Sequence, residues 1–258
     1  MDGATQPKPD WKIGVDIGGT FMDFCALETV SGRVASLKVL TTPDDPGAEL
    51  LDGLRLLAER EGLDPALVTR FVHGTTVGIN TIIQRKGAKL ALVTNAGFED
   101  VIELARLRMP DMYSLFCHRP EPLVSRDMVF GVPVRMRADG SEQLAPNAEQ
   151  VADAARQAKA AGADGVIVAL LHSWRDTAQE AAVKAMIETA EPDMFVFTSS
   201  EVWPVIREYE RPSTAILNGY VHPRVAGYLT ALESRLEAQG VPAKALLTRS
   251  NGGLMSAG

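Results

Sequence analysis

Asp16-Ile17-Gly18-Gly19-Thr20-Phe21-Met22-Asp23 is the stretch whose reading decides the fold. Before it, residues 12–17 alternate, with Ile13, Val15 and Ile17 on one face; after it, residues 20–27 resume an extended pattern. Two alternating runs joined through a glycine pair read as a β-hairpin. Glycines let a backbone approach a ligand closely, and the flanking strands hold the loop rigid, so its amides suit a phosphate. Strand alternation points Asp16 away from the face of Val15 and Ile17. There it can serve as a carboxylate for hydrated Mg²⁺, while the Thr20 hydroxyl can reach a terminal phosphate. The loop lacks the lysine of GxxxxGK[ST] and is followed by a strand where a GxGxxG turn would begin a helix, which disfavours both of those nucleotide classes. On the glycines alone, a plain tight turn with an exposed Asp16 reads better.

Working outward, Ser31-Gly32 makes a second turn before a strand over 33–40, so three antiparallel strands come first. Pro46 opens a helix carrying Leu50, Leu54, Leu57 and Ala58, which Gly62 closes. A short strand at 71–73 ends in Gly74-Thr75-Thr76, a helix through Ile79, Ile82 and Ile83 stops at Gly87, and 90–93 is a buried strand. Prolines and arginines interrupt any period from Met109 to Gly140, apart from a strand candidate at 128–135, so this reads as an inserted or linking segment. A helix over 148–161, a strand over 165–170, a helix after Asp176 and a strand over 194–198 restore an alternation that implies parallel strands covered by helices. Residues 205–239 fit one long helix or two broken near Pro223, and Leu246-Leu247 starts a strand towards Ser250-Asn251-Gly252-Gly253.

His73-Gly74-Thr75-Thr76 stands at a strand end before a helix start, where free amides and the helix dipole favour an anion and a histidine titrates near neutral pH. Phosphoryl or substrate contact is one reading. The other makes Thr75 or Thr76 a helix cap and His73 a hydrogen-bonded, semi-buried residue; the residues alone favour this one. Arg106 and Arg108 either bind an anion by a forked pair of hydrogen bonds or lie in a solvated loop. His172 reads as structural, and no two histidines have metal-ligand spacing.

Composition excludes other classes. With 258 residues, 46% hydrophobic, there is apolar material for one large domain or two small ones. A net charge of -7 gives no broad grip on a nucleic acid. No apolar run approaches the ~20 residues of a membrane span, which suggests a soluble, cytoplasmic protein. Cys25 and Cys117 are far apart and form neither a disulfide framework nor a recognisable metal site.

Ordered blocks along the chain carry a resemblance. They are GVDIGGTFMDF from Gly14, KVLTTPDDP from Lys38, HGTTVGINTIIQRKGAKLALVTNAGFEDV from His73, RPEPLVSRDMVFGVPVRMRADG from Arg119, YERPSTAILNGYVHP from Tyr209 and SNGGLMS from Ser250. In these the chain resembles the N-terminal part of the hydantoinase A/oxoprolinase family. The resemblance implies an α/β fold, the first RNase H-like lobe of an actin-like ATPase with an inserted segment, truncated at the start of the second lobe. It implies a lobe over 1–200 and the beginning of a second domain over 201–258. The implied activity is ATP-dependent phosphorylation of a cyclic amide carbonyl, as in hydantoinases and 5-oxoprolinases. Alternatives are a ketone carboxylase subunit of the acetone or acetophenone type, or a non-catalytic binding module. ATP and Mg²⁺ would be the cofactors and a hydantoinase B-like subunit or domain the partner. Asp16, Gly18, Gly19, Thr20 and Asp23 match the first phosphate and metal loop, with Asp16 reaching Mg²⁺ through water. His73, Thr75, Thr76 and Asn80 form the candidate catalytic group. Met22 stands where the family more often has threonine, which removes a possible hydroxyl contact, and Arg249 stands where it more often has glutamine.

Overall fold

The computed structural model describes residues 10–18, 20–40, 48–107 and 109–256. Gly19, Arg108, the expected helix start at Pro46 and much of the block from Lys38 lie outside these residues. The chain opens with β1 (Trp11–Ile17), β2 (Phe21–Glu28), β3 (Val34–Leu40), α1 (Ala48–Glu61), β4 (Val68–Thr75) and α2 (Val77–Ile83). There follow β5 (Leu90–Asn95), α3 (Val101–Leu104), β6 (Val129–Val132), β7 (Arg135–Met136), β8 (Glu142–Leu144), α4 (Ala148–Ala160) and β9 (Gly165–Val168). The last elements are α5 (Ala178–Ala190), β10 (Phe195–Thr198), α6 (Ser199–Val202), α7 (Glu210–Ala238), β11 (Ala245–Thr248) and β12 (Leu254–Ser256). They form two compact units, one from Met1–Ile83 with Arg224–Gly258 and one from Gln84–Pro223. These units divide the chain at other points than the 200/201 boundary drawn from the resemblance.

In the first unit a six-stranded sheet runs β12-β11-β4-β1-β2-β3. The expected meander is present: β2 is antiparallel to β1 and β3, while β4 is parallel to β1 and β11 parallel to β4. Alternation in β1 buries Trp11, Ile13 and Val15 and leaves Lys12 and Asp16 exposed. β2 continues this in the opposite phase, burying Met22, Phe24 and Ala26. Met22 is fully inside the core, so a side chain at this position meets apolar neighbours rather than a ligand on the exposed face. The change from threonine therefore removes no phosphate contact from that face. Leu50, Leu54 and Leu57 of α1 recur at helix spacing and are buried against the sheet, and Gly62, left-handed at φ 69, ends the turn that follows. Tyr228, Leu229, Leu232 and Leu236 of α7 close the same core.

The second unit has its own four-stranded sheet, β10-β9-β5-β6, with every pairing parallel. β5 and β9 are buried along their whole lengths, as strands covered on both faces must be. The stretch read as an inserted or linking segment contributes to this layer: Val129 and Val132 are buried in β6, which pairs with β5. The strand candidate at 128–135 is present as β6 and the start of β7; what the proline-rich sequence hid is that β6 joins the parallel layer. Asn147 caps α4 by accepting from the amides of Glu149 and Gln150. α7 runs without interruption through Pro223.

Gly53 of α1 lies against β2, and a Cβ there would fall 2.1 Å from Cζ of Phe24, a ring that is itself buried. Alanine gains about 1 kcal/mol of helix propensity. Overpacking costs typically 1–3 kcal/mol or more. Gly53→Ala should therefore lower the stability of the first unit by roughly 1–2 kcal/mol in chemical denaturation. A neutral or stabilising result would mean that α1 stands off the sheet.

Candidate functional site

Because β1, β4 and β11 run in the same direction, their C-terminal ends reach one edge of the sheet. Loops at the carboxyl ends of parallel strands are where open α/β sheets place ligands. The register sets a row of residues across that edge. Asp16 is opposite Asp23 on one side and Gly74 on the other, and the pairing of Leu247 with His73 puts Thr248 beside Gly74. Asp16, Asp23 and Thr248 are all exposed.

Gly74 is the enabling residue of this row. A Cβ there would sit 2.7 Å from Asp16 Oδ1 and 3.5 Å from Thr248 Oγ1, so the carboxylate leans into space that any other side chain would take. Asp16 has no hydrogen bond or ion pair with another described residue. Asp23 is 3.2 Å from Lys38 Nζ in its own cross-strand pair. At the hairpin tip the Gly18 amide donates to Phe21 O at 2.9 Å, so this N–H closes the turn. Thr20 is exposed at the tip.

The residues after β4 act mainly on one another. Thr75 Oγ1 accepts from the Val77 amide at 3.2 Å and caps the start of α2. The Thr76 hydroxyl donates to Ile17 O at 3.4 Å and accepts from Asn80 Nδ2 at 3.1 Å. This pair fastens the first turn of α2 to the end of β1. The cap reading of Thr75 holds, and Thr76 and Asn80 keep exposed side chains at the edge.

His73 is on the other face. It shares the register of Val15, is 1% exposed, and its Nε2 lies 2.5 Å from the Tyr228 hydroxyl on α7. Burial pushes its pKa down to about 4, against weaker upward pulls from the Val15 backbone and the Asp16 carboxylate. Nδ1 makes no hydrogen bond of good geometry with a described residue. The ring is thus neutral at pH 7, and burial raises the pKa of the phenol it meets. The edge brings together Asp16, Gly18, Thr20, Asp23, Thr75, Thr76 and Asn80; His73 reaches it only through the backbone it shares with Gly74.

Sequence reasoning missed Thr248 and Tyr228, whose places depend on strands and helices distant in sequence. Arg106 makes the forked pair of hydrogen bonds within the chain: its guanidinium grips the Glu210 carboxylate at 2.6 and 2.9 Å. Arg211 is fully buried and donates to Ser199 Oγ, Glu208 and the carbonyls of Leu170 and Val205. Glu180, also fully buried, accepts from the amides of Leu170 and Ser200 and the hydroxyls of Ser173, Ser199 and Ser200. His172 donates its amide to Glu208, and His222 packs edge-on to Phe197. Among the described residues no three His, Cys, Asp or Glu side chains cluster to hold a metal.

Known proteins resemble this chain over most of its length. The hydantoinase/oxoprolinase N-terminal region matches residues 12–190. The caprolactamase subunit alpha of Pseudomonas jessenii is 31% identical over 253 residues, covering 96% of this chain and 36% of that protein. The acetone carboxylase beta subunit of Xanthobacter autotrophicus is 29% identical over 262 residues, covering 95% and 36%. Among solved structures, a nucleotide-free acetone carboxylase superposes with a TM-score of 0.86 at 26% identity, covering 96% of this chain and 37% of that one. The ATP-dependent caprolactamase from Pseudomonas jessenii gives 0.85 at 30%, covering 95% and 36%. The chain thus spans little more than a third of these relatives' length. Among the described residues no helix is long and apolar enough to cross a membrane.

The buried histidine sets a pH dependence. Its folded pKa, about 4, lies below the unfolded value near 6.5, so the unfolded chain binds more protons between the two. This site's stability is complete above pH 6.5 and falls by up to about 3 kcal/mol as the pH drops to 4. Urea unfolding at pH 7 and 4.5 should show a smaller acid loss in His73→Gln than in the parent chain. Equal losses would mean that His73 is protonated in the folded state.

Proposed function

Because this chain belongs to the hydantoinase/oxoprolinase family, whose N-terminal region it matches, we propose that its first unit is the opening part of an ATP site in a carbonyl-activating enzyme. The observation that carries the reading is the exposed Asp16, unpaired among the described residues, leaning over Gly74 where three parallel strand ends meet. The order β3-β2-β1-β4-β11, a meander followed by parallel strands, supports an RNase H-like lobe of the actin-like ATPase kind. In this reading 1–200 is the family's first lobe and 201–258 begins its second domain.

The reaction is transfer of a phosphoryl group from ATP to the carbonyl oxygen of a cyclic amide, preparing the ring for opening by water. The likeness to caprolactamase supports this substrate class. A ketone is the second substrate reading, supported by the likeness to acetone carboxylase. Several relatives are named as subunits, which supports a hydantoinase B-like partner.

Asp16 and Asp23, paired in register on the exposed face, are a donor set suited to a hard, oxygen-binding cation. Mg²⁺, when bound, neutralises charge on the phosphate oxygens. With no cage of three acidic side chains among the described residues, Asp16 would reach the ion through water. Gly18 closes the hairpin turn, which would let the backbone at Thr20 meet the phosphates. Thr76 and Asn80 hold the start of α2 beside that tip, with exposed polar groups for the acceptor. His73 and Tyr228 act from below as positioning residues, fixing the backbone that carries Gly74.

Calorimetric titration of Mg-ATP into the 258-residue chain checks this. Asp16→Asn should weaken binding at least about tenfold, the scale of a lost charge-assisted contact, with the melting temperature unchanged. Gly74→Ala should do the same by displacing the carboxylate. Unchanged affinity in Asp16→Asn, or loss of binding only in step with loss of folding, would reject the hairpin as the site.

A further inference from the structure

The second unit carries an apolar surface that the proposed chemistry does not use. Residues 104–116 expose Leu104, Leu107, Met109, Met112, Tyr113, Leu115 and Phe116; Met112 is 73% exposed, Tyr113 93%, Leu115 98% and Phe116 86%. Single exposed apolar side chains are ordinary on a soluble protein, but a run of this kind marks an interaction surface. The segment is launched by two non-glycine residues with left-handed backbone, Ala105 at φ 50 and Leu107 at φ 55. It is then pinned by local bonds: Asp111 Oδ1 accepts from the Tyr113 amide, and Cys117 Sγ from the Asp111 amide at 3.2 Å. These hold the large side chains outward.

The same face has a recess. A groove of about 700 Å³ is walled by Met109, Pro120, Pro122, Leu123, Ile216 and Leu217. Its polar lining includes Arg119, Glu103 and Glu121. Arg119 Nη1 donates to Glu103 O, its Nε is shielded from solvent without an acceptor, and its charge has no ion pair among the described residues. Neither glutamate has an ion pair among them.

We propose that this face is a two-fold interface between copies of this chain, the 112–116 loop of each copy filling the groove of the other. Two observations select a second copy over another occupant. The patch carries both a protrusion and a recess, as a surface that meets itself across a two-fold axis requires. It carries unpaired charges of both signs, Arg119 against Glu103 and Glu121, so one copy supplies what the other lacks. Aromatic and methionine side chains at the centre with an arginine beside them match the composition of interface cores.

Sedimentation velocity of the 258-residue chain between 1 and 100 μM tests the proposal, with Leu115→Glu/Phe116→Glu for the loop and Leu217→Glu for the groove. The parent chain should form a dimer. Both variants, acting on different halves of the contact, should weaken it at least about a hundredfold, the scale of losing central anchors. Their circular dichroism and melting temperatures should be unchanged. Val30→Glu, an exposed site in the first unit, should leave the dimer intact. A parent chain that stays monomeric to 100 μM overturns the proposal and leaves the face to a different chain. Open-ended aggregates, or a dimer indifferent to both variants, overturn it equally.

Discussion

The parallel pairing of β1 with β4 is the constraint from which the candidate site follows. It places Asp16 against Gly74, and the missing side chain there is what lets a carboxylate stand at the sheet edge with its oxygens unclaimed by any other described residue. A residue with a Cβ would force Asp16 aside or require the strands to part. The same pairing sets His73 against Val15, one residue away and on the opposite face. Strand alternation thus divides two neighbouring residues between two tasks: Gly74 opens space for a ligand, and His73 anchors the backbone from within the core.

That anchoring is polar where apolar packing would be the simpler choice. A neutral imidazole hydrogen-bonded to a buried phenol connects β4 to α7 across the core of the first unit. A hydrogen bond fixes direction and register in a way that dispersion contacts do not, at the cost of desolvating both partners. The second unit makes a comparable choice on a larger scale. Glu180 and Arg211 are both fully buried, yet donors and acceptors surround each, and Ser199 contacts both. Removing one member would leave the other charged and poorly solvated, so the network holds α5, α6 and the start of α7 in one arrangement.

Electrostatics at the sheet edge follow from this framework. Asp16 and Asp23 repel each other across the hairpin, and Lys38 sits on the far side of Asp23 and relieves only that end of the row. An acidic pair left this way attracts a hard cation, and a cation in turn makes room for phosphate. The acidic edge would repel a bare polyanion, so under the proposed function a phosphate ligand would come with its metal.

The meander, the helix after it and the strand-helix alternation of the middle section were legible in the sequence because their periods are local: the alternation of Ile13, Val15 and Ile17, and the spacing of Leu50, Leu54 and Leu57, need no distant partner. Asp16 was legible as exposed for the same reason. The strand candidate at 128–135 was legible too, but its place was not: it read as part of an inserted or linking segment, and only pairing with β5 makes β6 an edge of the parallel layer. The role of Met22 also escaped a reading by family position, since only the phase of β2 turns it into the core. Arg106 was legible as a fork for an anion, but that the anion is the carboxylate of Glu210 only the fold decides. By itself, then, the sequence determined the hairpin, its glycines and the side of the strand on which Asp16 stands, because adjacent residues dictate these. Only the tertiary structure decided that Gly74 and Thr248 flank that carboxylate while His73 turns inward to Tyr228. Those neighbours come from strands and a helix far along the chain, and their meeting depends on register and packing that no local pattern encodes.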